Sequence, residues 1–421
     1  MDEIFGKQKQ TRAVLVALTL DMTDRQVEVS LDELERLLET AGGVAAARVV
    51  QPRSRPDPKT YIGAGKAEEI RDFISSQGDD EIDLAVFDNE LTPSQIAALE
   101  DILGVRVIDR TMLILDIFAL HAVTGEGKLQ VEIACLRYTA PRLIGKGKQL
   151  SRLGGGIGTR GPGESQLETD RRHIKRRIAA LQAELEDMEK VRGVKRSSRE
   201  RSGMVSAAIV GYTNAGKSTL LNRLTDAGIL AEDKLFATLD PTTRRLTLPS
   251  GNELLLTDTV GFIDRLPTHL IKAFRSTLEE MCYADIIITL TDSGECDEER
   301  RRKNGVTRQL IDELGASDKP LVEVWNKCDV AVDTDFIPPQ AICISAATGE
   351  GIDSLLARLD ELASQGKKIL KLFFPHGSLQ DASAVYRLAR VISTEYLDDG
   401  VSVTAECDAR AAGKLADYIV K

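Results

Sequence analysis

The sequence predicts an α/β protein centred on a mostly parallel sheet, with smaller domains before and after it in the chain. Short continuous apolar runs, suited to strands covered on both faces, alternate with amphipathic stretches along much of the 421 residues. Gly211-Tyr-Thr-Asn-Ala-Gly-Lys-Ser218 follows one such run and opens an amphipathic stretch, the strand–loop–helix setting of a phosphate-binding loop. The chain is also longer than one core usually organises, so about two to four domains are expected.

Residues 1–110 read as an N-terminal α/β domain. Runs at 13–18, 44–50, 84–87 and 105–108 are strand candidates, and 31–40, 67–76 and 93–103 have helical spacing. Pro52, Pro56 and Pro58 punctuate a loop before Tyr61-Ile-Gly-Ala-Gly-Lys66. Its glycines suit a phosphate but lack the full motif, and the plainer reading is a structural turn before the helix from Ala67.

Residues 111–200 read as a helical hairpin with a Gly-rich loop. Stretches 111–121 and 128–139 are helical, and glycines crowd 143–163. Ser165-Gln-Leu-Glu168 has the form of a capping box, in which Ser and Glu satisfy free amides of a first turn. The helix beyond it places Ile174, Ile178, Leu181, Leu185 and Met188 on one seam, to be met by Leu129, Ile133 and Leu136 of an antiparallel partner. Its other face carries Arg171, Arg172, Lys175, Arg176 and Arg177. Residues 195–203 read as a polar linker. Residues 201–366 repeat strand–helix units, with strands at 205–210, 254–257, 286–291, 321–325 and 341–345. Residues 367–421 read as a small α+β domain, with strands at 369–374, 389–393 and 401–406 and helices at 380–388 and 409–419. No internal repeat of fixed period is present.

Composition narrows the function classes. Apolar residues make up 42% and charged residues 29%, as in soluble globular proteins. No apolar run approaches the length that crosses a bilayer, and the first residues, MDEIFGKQKQ, do not resemble a secretory signal, so the cytoplasm is the expected compartment. The six cysteines, at 135, 282, 296, 328, 343 and 407, contain no C-x-x-C pair and read as reduced thiols. Net charge is −11, which argues against indiscriminate nucleic-acid binding, yet residues 142–201 hold 16 Lys+Arg against 8 Asp+Glu. Such a reversal can mark a surface that meets phosphate.

The chemistry gathers at strand ends. In the phosphate loop Gly211 and Gly216 permit the turn, and Tyr212, Thr213, Asn214 and Ala215 supply amides that cradle phosphates. Lys217 is placed to bridge the β- and γ-phosphates, and the Ser218 hydroxyl to ligate Mg²⁺. Asp258-Thr259-Val260-Gly261 ends a second strand. Asp258 suits Mg²⁺ through a water, since that ion keeps part of its hydration shell, and the Gly261 amide suits the γ-phosphate. Asn326-Lys327-Cys328-Asp329 ends a third strand. There a carboxylate can accept from two adjacent guanine N–H groups, with Asn326 addressing the opposite edge. Ser345-Ala346-Ala347 ends a fourth and can donate an amide to the guanine oxygen. The pattern points to GTP and GDP with Mg²⁺ as cofactor. Between the first two elements, Leu235-Phe-Ala-Thr-Leu-Asp-Pro-Thr-Thr-Arg244 must offer Mg²⁺ a hydroxyl, for which Thr238, Thr242 and Thr243 all qualify on chemistry.

These residues resemble the HflX family of translation-associated GTPases. The likeness runs through GYTNAGKS (211–218), FATLDPTTR (236–244), DTVGF (258–262) and NKCD (326–329), and outside them through GGGIGTRGPGESQLETDRR (154–172) and YIGAGKAEEI (61–70). The second set is the more specific. The resemblance implies a P-loop NTPase G domain joined through long helices to the N-terminal α/β domain. It implies Thr238 as the Mg²⁺-ligating switch threonine, with Phe236, Ala237, Leu239 and Asp240 beside it at the nucleotide. It also implies binding to the large (50S) ribosomal subunit and its RNA, in ribosome splitting and rescue or in biogenesis. Arg160, Arg171, Arg172, Lys175 and Arg176 are the candidate RNA contacts. Phe262 stands where many small GTPases carry the glutamine that orients water, so slow intrinsic hydrolysis is expected. Arg244 and Arg245 flank the switch, with an ion pair at a strand start as their plain role. Two rivals are an assembly or tRNA-related GTPase that never meets mature subunits, and an RNA-remodelling ATPase regulated by GTP. A monomer is expected.

Overall fold

The structure is a computed structural model and describes residues 10–20, 22–78, 81–142, 162–202, 204–225, 235–236, 239–267, 270, 275–330, 337–365, 368–407 and 409–420. It divides into two compact units. One holds residues 1–188, 232–240 and 265–277, and the other 189–231, 241–264 and 278–421.

The first unit opens on β1 (Thr11–Thr19), α1 (Asp24–Thr40), β2 (Gly43–Pro52), α2 (Ala64–Ser75), β3 (Leu84–Phe87), α3 (Pro93–Leu103) and β4 (Arg106–Asp109). The strands pair in parallel in the order β2-β1-β3-β4. β1 lies inside the sheet, and Ala13 to Leu18 are all buried, which explains its unbroken apolar run. Thr23 and Thr92 close α1 and α3 with capping boxes to Gln26 and Gln95, and Pro93 sits where a missing N–H is harmless. The Gly63 amide donates to Gln51 Oε1 at 2.8 Å and Lys66 pairs with Glu69 at 2.6 Å, so the turn at Gly63–Lys66 is tied to its own unit.

Charges are buried at the carboxyl ends of these strands. Arg110 is 3% exposed and bonds both Asp88, at 3.0 Å, and Glu33. Asp88 also accepts from Ser30 Oγ at 2.7 Å and from Arg265 at 2.9 Å. Asp109 accepts from the Leu91 and Met112 amides, Tyr138 Oη and Arg142.

Helices α4 (Arg110–His121) and α5 (Gly125–Thr139) follow, and then α6 (Pro162–Ser202). Leu129, Ile133 and Leu181 form the buried seam, with Leu136, Ile178 and Leu185 packed against it, as the sequence spacing requires. Two expectations are corrected. α6 begins at Pro162, so Ser165 lies within the helix rather than at its cap; proline is favoured in a first turn. It also runs through 195–202, the expected linker, because Lys, Arg and Glu are good helix formers.

In the second unit, β5 (Val205–Gly211), β7 (Glu253–Asp258), β8 (Ile286–Asp292), β9 (Leu321–Asn326) and β10 (Ile342–Cys343) are parallel. The sheet order is β10-β9-β8-β5-β7-β6. The edge strand β6 (Thr242–Thr247), not among the strand candidates though Arg244 and Arg245 are expected at a strand start, is antiparallel to β7. Helices α7 (Lys217–Thr225), α8 (Arg275–Tyr283), α9 (Asp297–Glu313) and α10 (Ile352–Ser364) connect the strands. Ile209, Leu254, Leu256, Ile288 and Val324 lie in one buried core with Leu220, Leu355 and Leu359 of α7 and α10. The chain ends in β11 (Lys368–Pro375), α11 (Leu379–Leu388), β12 (Arg390–Leu397), β13 (Gly400–Cys407) and α12 (Ala409–Lys414). Its antiparallel sheet, β11-β13-β12, packs Leu372, Phe374, Val403 and Ala405 with Val385 and Ala411.

Candidate nucleotide site

The phosphate loop, the Asp258 segment, the Asn326 tetrad and the Ser345 turn follow β5, β7, β9 and β10, the strand ends where open α/β sheets hold ligands. The loop's backbone is tightly specified. Gly216 has φ +90°, and a Cβ there would stand 2.3 Å from Asn326 Nδ2. Asn214 also has positive φ, which asparagine tolerates better than most side chains. Lys217 is buried, and its ammonium donates to the Gly211 and Tyr212 carbonyls at 3.3 and 2.9 Å. Desolvation holds its pKa down at about 8, against the upward pull of Asp258. The buried Thr213 hydroxyl has no hydrogen-bond partner among the described residues. Gly216→Ala is expected to lower nucleotide affinity about ten- to a hundredfold, since L residues at positive φ are strained by ~1–3 kcal/mol and the new methyl displaces Asn326. Titration calorimetry with GDP checks this; wild-type affinity would show that the loop relaxes freely.

Ser218 and Asp258 meet. The hydroxyl donates to Asp258 Oδ2 at 2.6 Å, and Asp258 is fully buried. A hydroxyl and a carboxylate converging on one spot form an all-oxygen donor pair, the chemistry that suits a small hard cation such as Mg²⁺. Beyond them the chain is zipped to the phosphate loop by its backbone. Phe262 N donates to the Gly211 carbonyl at 3.0 Å, and Thr213 N to the Phe262 carbonyl at 2.7 Å. A Cβ on Gly261 would lie 2.7 Å from Thr213 Cγ2 and 2.9 Å from Lys217 Nζ. The Phe262 ring is 1% exposed, so this position contributes backbone and packing.

Asn326, expected to address one edge of the base, is also anchored by protein. Its Nδ2 donates to the Ala215 carbonyl at 2.8 Å, and its Oδ1 accepts from the Ala346 amide at 2.9 Å. Both ends of the amide thus pin protein to protein, joining the phosphate loop to the Ser345 turn. Lys327, at φ 66°, pairs with Asp292 at 2.7 Å, and the Asp329 side chain is exposed. Ser345 is fully buried and its hydroxyl accepts from the Thr348 amide. Sequence reasoning missed Arg223 and the Asp264–Arg302 pair. Arg223 of α7 donates to the Ala346 carbonyl at 3.0 Å and to that of Ala347. Tyr212 Oη accepts from the Asp264 amide at 2.7 Å, and Asp264 pairs with Arg302 at 2.6 Å. Neither leaves a sequence signal, because the partners are backbone groups or lie far along the chain.

Ala237, Thr238 and Arg160 lie outside the described residues. Phe236, Leu239 and Asp240 belong to the first unit. There the Phe236 ring, at φ 57°, sits edge-on to Phe118 at 4.8 Å, and Leu239 is buried. Asp240 accepts from the Val123 and Thr124 amides at 2.8 Å, ahead of α5. Thr243 sits in β6 with its hydroxyl 2.9 Å from that of Thr257, and Thr242 is in register with Asp258. Arg245 pairs with Glu253 across the β6–β7 ladder. Arg171, Arg172, Lys175, Arg176 and Arg177 are all exposed on α6, and Arg177 also pairs with Glu132 of α5 at 2.7 Å.

Three family descriptions match successive stretches: "GTP-binding GTPase N-terminal" over 28–119, "GTP-binding GTPase Middle Region" over 121–199 and "50S ribosome-binding GTPase" over 206–327. A protein of Lacrimispora saccharolytica named GTPase HflX is 49% identical over 98% of this chain and 97% of its own. The GTPase HflX of Escherichia coli is 41% identical over 94% and 92%. The chain belongs to the HflX family of GTPases. Among solved structures, a GTP-binding protein from Sulfolobus solfataricus in complex with GDP is 26% identical over 85% of this chain and 99% of its own, with a TM-score of 0.45. As an HflX-family member the chain is a GTPase with a P-loop G domain, and among its described residues no helix is long and apolar enough to cross a membrane.

Proposed function

We propose that this GTPase binds GTP and GDP through Gly211–Ser218, Asp258–Gly261, Asn326–Asp329 and Ser345–Ala347, and acts in the cytoplasm on the 50S ribosomal subunit, in splitting and rescue or in biogenesis. The observation that carries the nucleotide reading is Asn326, which holds the Ala215 carbonyl and the Ala346 amide together. Phosphate-binding and base-binding segments are thereby fixed at one spacing, as a nucleoside polyphosphate requires.

Ser218 would hold Mg²⁺ directly and Asp258 through a water, with Thr238 as the further ligand that the family pattern implies. The metal would neutralise charge on the β- and γ-phosphate oxygens. Lys217 exchanges its two carbonyl partners for phosphate oxygens, and the loop amides orient the chain of phosphates. The Phe262 ring cannot orient or deprotonate water, so intrinsic turnover is slow and the ribosome accelerates it by ordering the switches. Calorimetry with GTP and Mg²⁺ tests the site; no heat with folded protein would refute it.

Ribosome binding has its support in the family description "50S ribosome-binding GTPase" and in the exposed α6 cations. Co-sedimentation with 50S subunits is expected with a non-hydrolysable GTP analogue and weak with GDP. Equal pelleting in both states would favour the assembly or tRNA-related reading. Replacing Arg172, Lys175 and Arg176 together with Glu is expected to weaken binding and flatten its salt dependence, since each lost phosphate contact reduces the slope by roughly 0.7–0.9. An unchanged slope would place the basic face elsewhere. Lys217→Ala is expected to stop turnover of both GTP and ATP; surviving ATP turnover would support the ATPase reading. The Gly63 amide bonded to Gln51 and Lys66 paired with Glu69 weigh against that reading.

A further inference from the structure

Two of the six thiols lie together at the proposed base-binding tetrad, one of them within it. Cys328 stands between Lys327 and Asp329, and Cys343 is on β10 in register with Trp325. The segments are stitched by backbone: Ile344 N donates to the Trp325 carbonyl at 2.8 Å, and Cys328 N to the Ile344 carbonyl at 3.1 Å. Cys328 Sγ lies 3.2 Å from the Trp325 carbonyl and 3.5 Å from Ser293 Oγ, and its thiol is a close electrostatic neighbour of the Cys343 thiol. Both residues are partly accessible. Nothing in GTP hydrolysis uses a thiol.

We propose that Cys328 and Cys343 form an oxidant-sensitive dithiol site, closed to a disulfide by peroxide, that lowers guanine-nucleotide affinity. The proposal rests on the guanine assignment of Asp329. Cys328, in the loop beyond β9, is taken as the attacking sulfur, and Cys343, held in β10 with its thiol pushed up to about 11 by burial and the neighbouring Cys328, as the resolving one. The Cys328 thiolate forms an S–O bond to hydrogen peroxide as the O–O bond breaks, and hydroxide leaves to become water with the thiol's proton. The Cys343 sulfur then displaces hydroxide from the Cys328 sulfenic acid, and its own proton leaves with it as a second water. The sulfur pair loses two electrons and the peroxide gains them. A disulfide requires the sulfurs to close to ~2.0 Å. The tetrad yields to that pull, because Cys328 follows Lys327, already at φ 66°, while β10 is held in the sheet. Asp329, the next residue, moves with Cys328. By linkage, nucleotide must oppose the disulfide by the same factor as the disulfide opposes nucleotide.

The test uses the whole chain, reduced and then treated with hydrogen peroxide with or without GDP. Free thiols are blocked, and the protein is digested without reductant for mass spectrometry. A Cys328–Cys343 peptide two hydrogens lighter is expected ahead of oxidation at Cys135, Cys282, Cys296 and Cys407. GDP affinity is expected to fall about tenfold or more and to return with dithiothreitol, which for a two-electron couple moves the midpoint potential by about 30 mV when GDP is present. Cys343→Ser is expected to bind GDP like the reduced parent and to form no internal disulfide under peroxide, its Cys328 stopping at the sulfenic acid. The proposal fails if the pair stays reduced while other thiols oxidise, or if the linked form binds GDP unchanged. Failure of the reduced protein to bind GDP refutes the guanine assignment and this proposal with it, whereas peroxide-insensitive binding refutes this proposal alone.

Discussion

Asp329→Asn is expected to turn a GTP-preferring protein into one that favours xanthosine triphosphate. In the assignment above, the carboxylate accepts from two adjacent guanine N–H groups. An amide offers one acceptor and donors in place of the second, so guanine meets donor with donor. Sites built to hydrogen-bond a ligand discriminate by ~10⁴ when a partner is lost, and a reduction of that order is expected for GTP. The experiment is clean because the Asp329 side chain is exposed. Competition binding with GTP, ATP and xanthosine triphosphate reads the outcome. Undiminished guanine preference would remove Asp329 from the base site, and with it the tetrad's proposed role.

Arg110→Ala is expected to destabilise the first unit by about 3–5 kcal/mol, the usual consequence of removing one partner from a buried ion pair. Arg110 lies 3% exposed between Asp88 and Glu33, and both carboxylates are themselves buried. Without the guanidinium, Asp88 retains Ser30 and Arg265, while Glu33 loses its ion pair with Arg110 in a largely buried place. Urea unfolding should show the drop at pH 7. Combining Arg110→Met with Asp88→Asn and Glu33→Gln is expected to recover most of it, since no charge is then stranded. A single-variant loss below about 1 kcal/mol would mean that the cluster relaxes or hydrates on mutation.

The phosphate loop was legible because its chemistry is local: the amides, the lysine and the serine follow one another, so residue spacing carries the geometry. The central strands were legible from continuous apolar runs, and the α5–α6 seam from its alternating intervals. β6 was not, because an edge strand buries little; of Thr242–Thr247 only Leu246 is a buried hydrophobic. The start of α6 was misread because Ser165 and Pro162 compete as helix openers, and only packing decides. Asn326 and Arg177 show a different limit. Asparagine in a base tetrad reads as a base contact, yet its partners are backbone atoms of Ala215 and Ala346. Arg177 reads as free surface until Glu132, far back in the chain, is brought against it. Polar partnerships set by tertiary folding have no periodicity to betray them.

The double anchorage of Asn326 has a consequence for affinity. One side chain sets the span between the two halves of the pocket, so a ligand carrying both its ends joined should gain a chelate advantage over the same pieces supplied apart. Guanosine and pyrophosphate added together would then compete poorly with GDP, and an Asn326→Ala chain would lose that advantage while keeping much of its weak hold on each fragment.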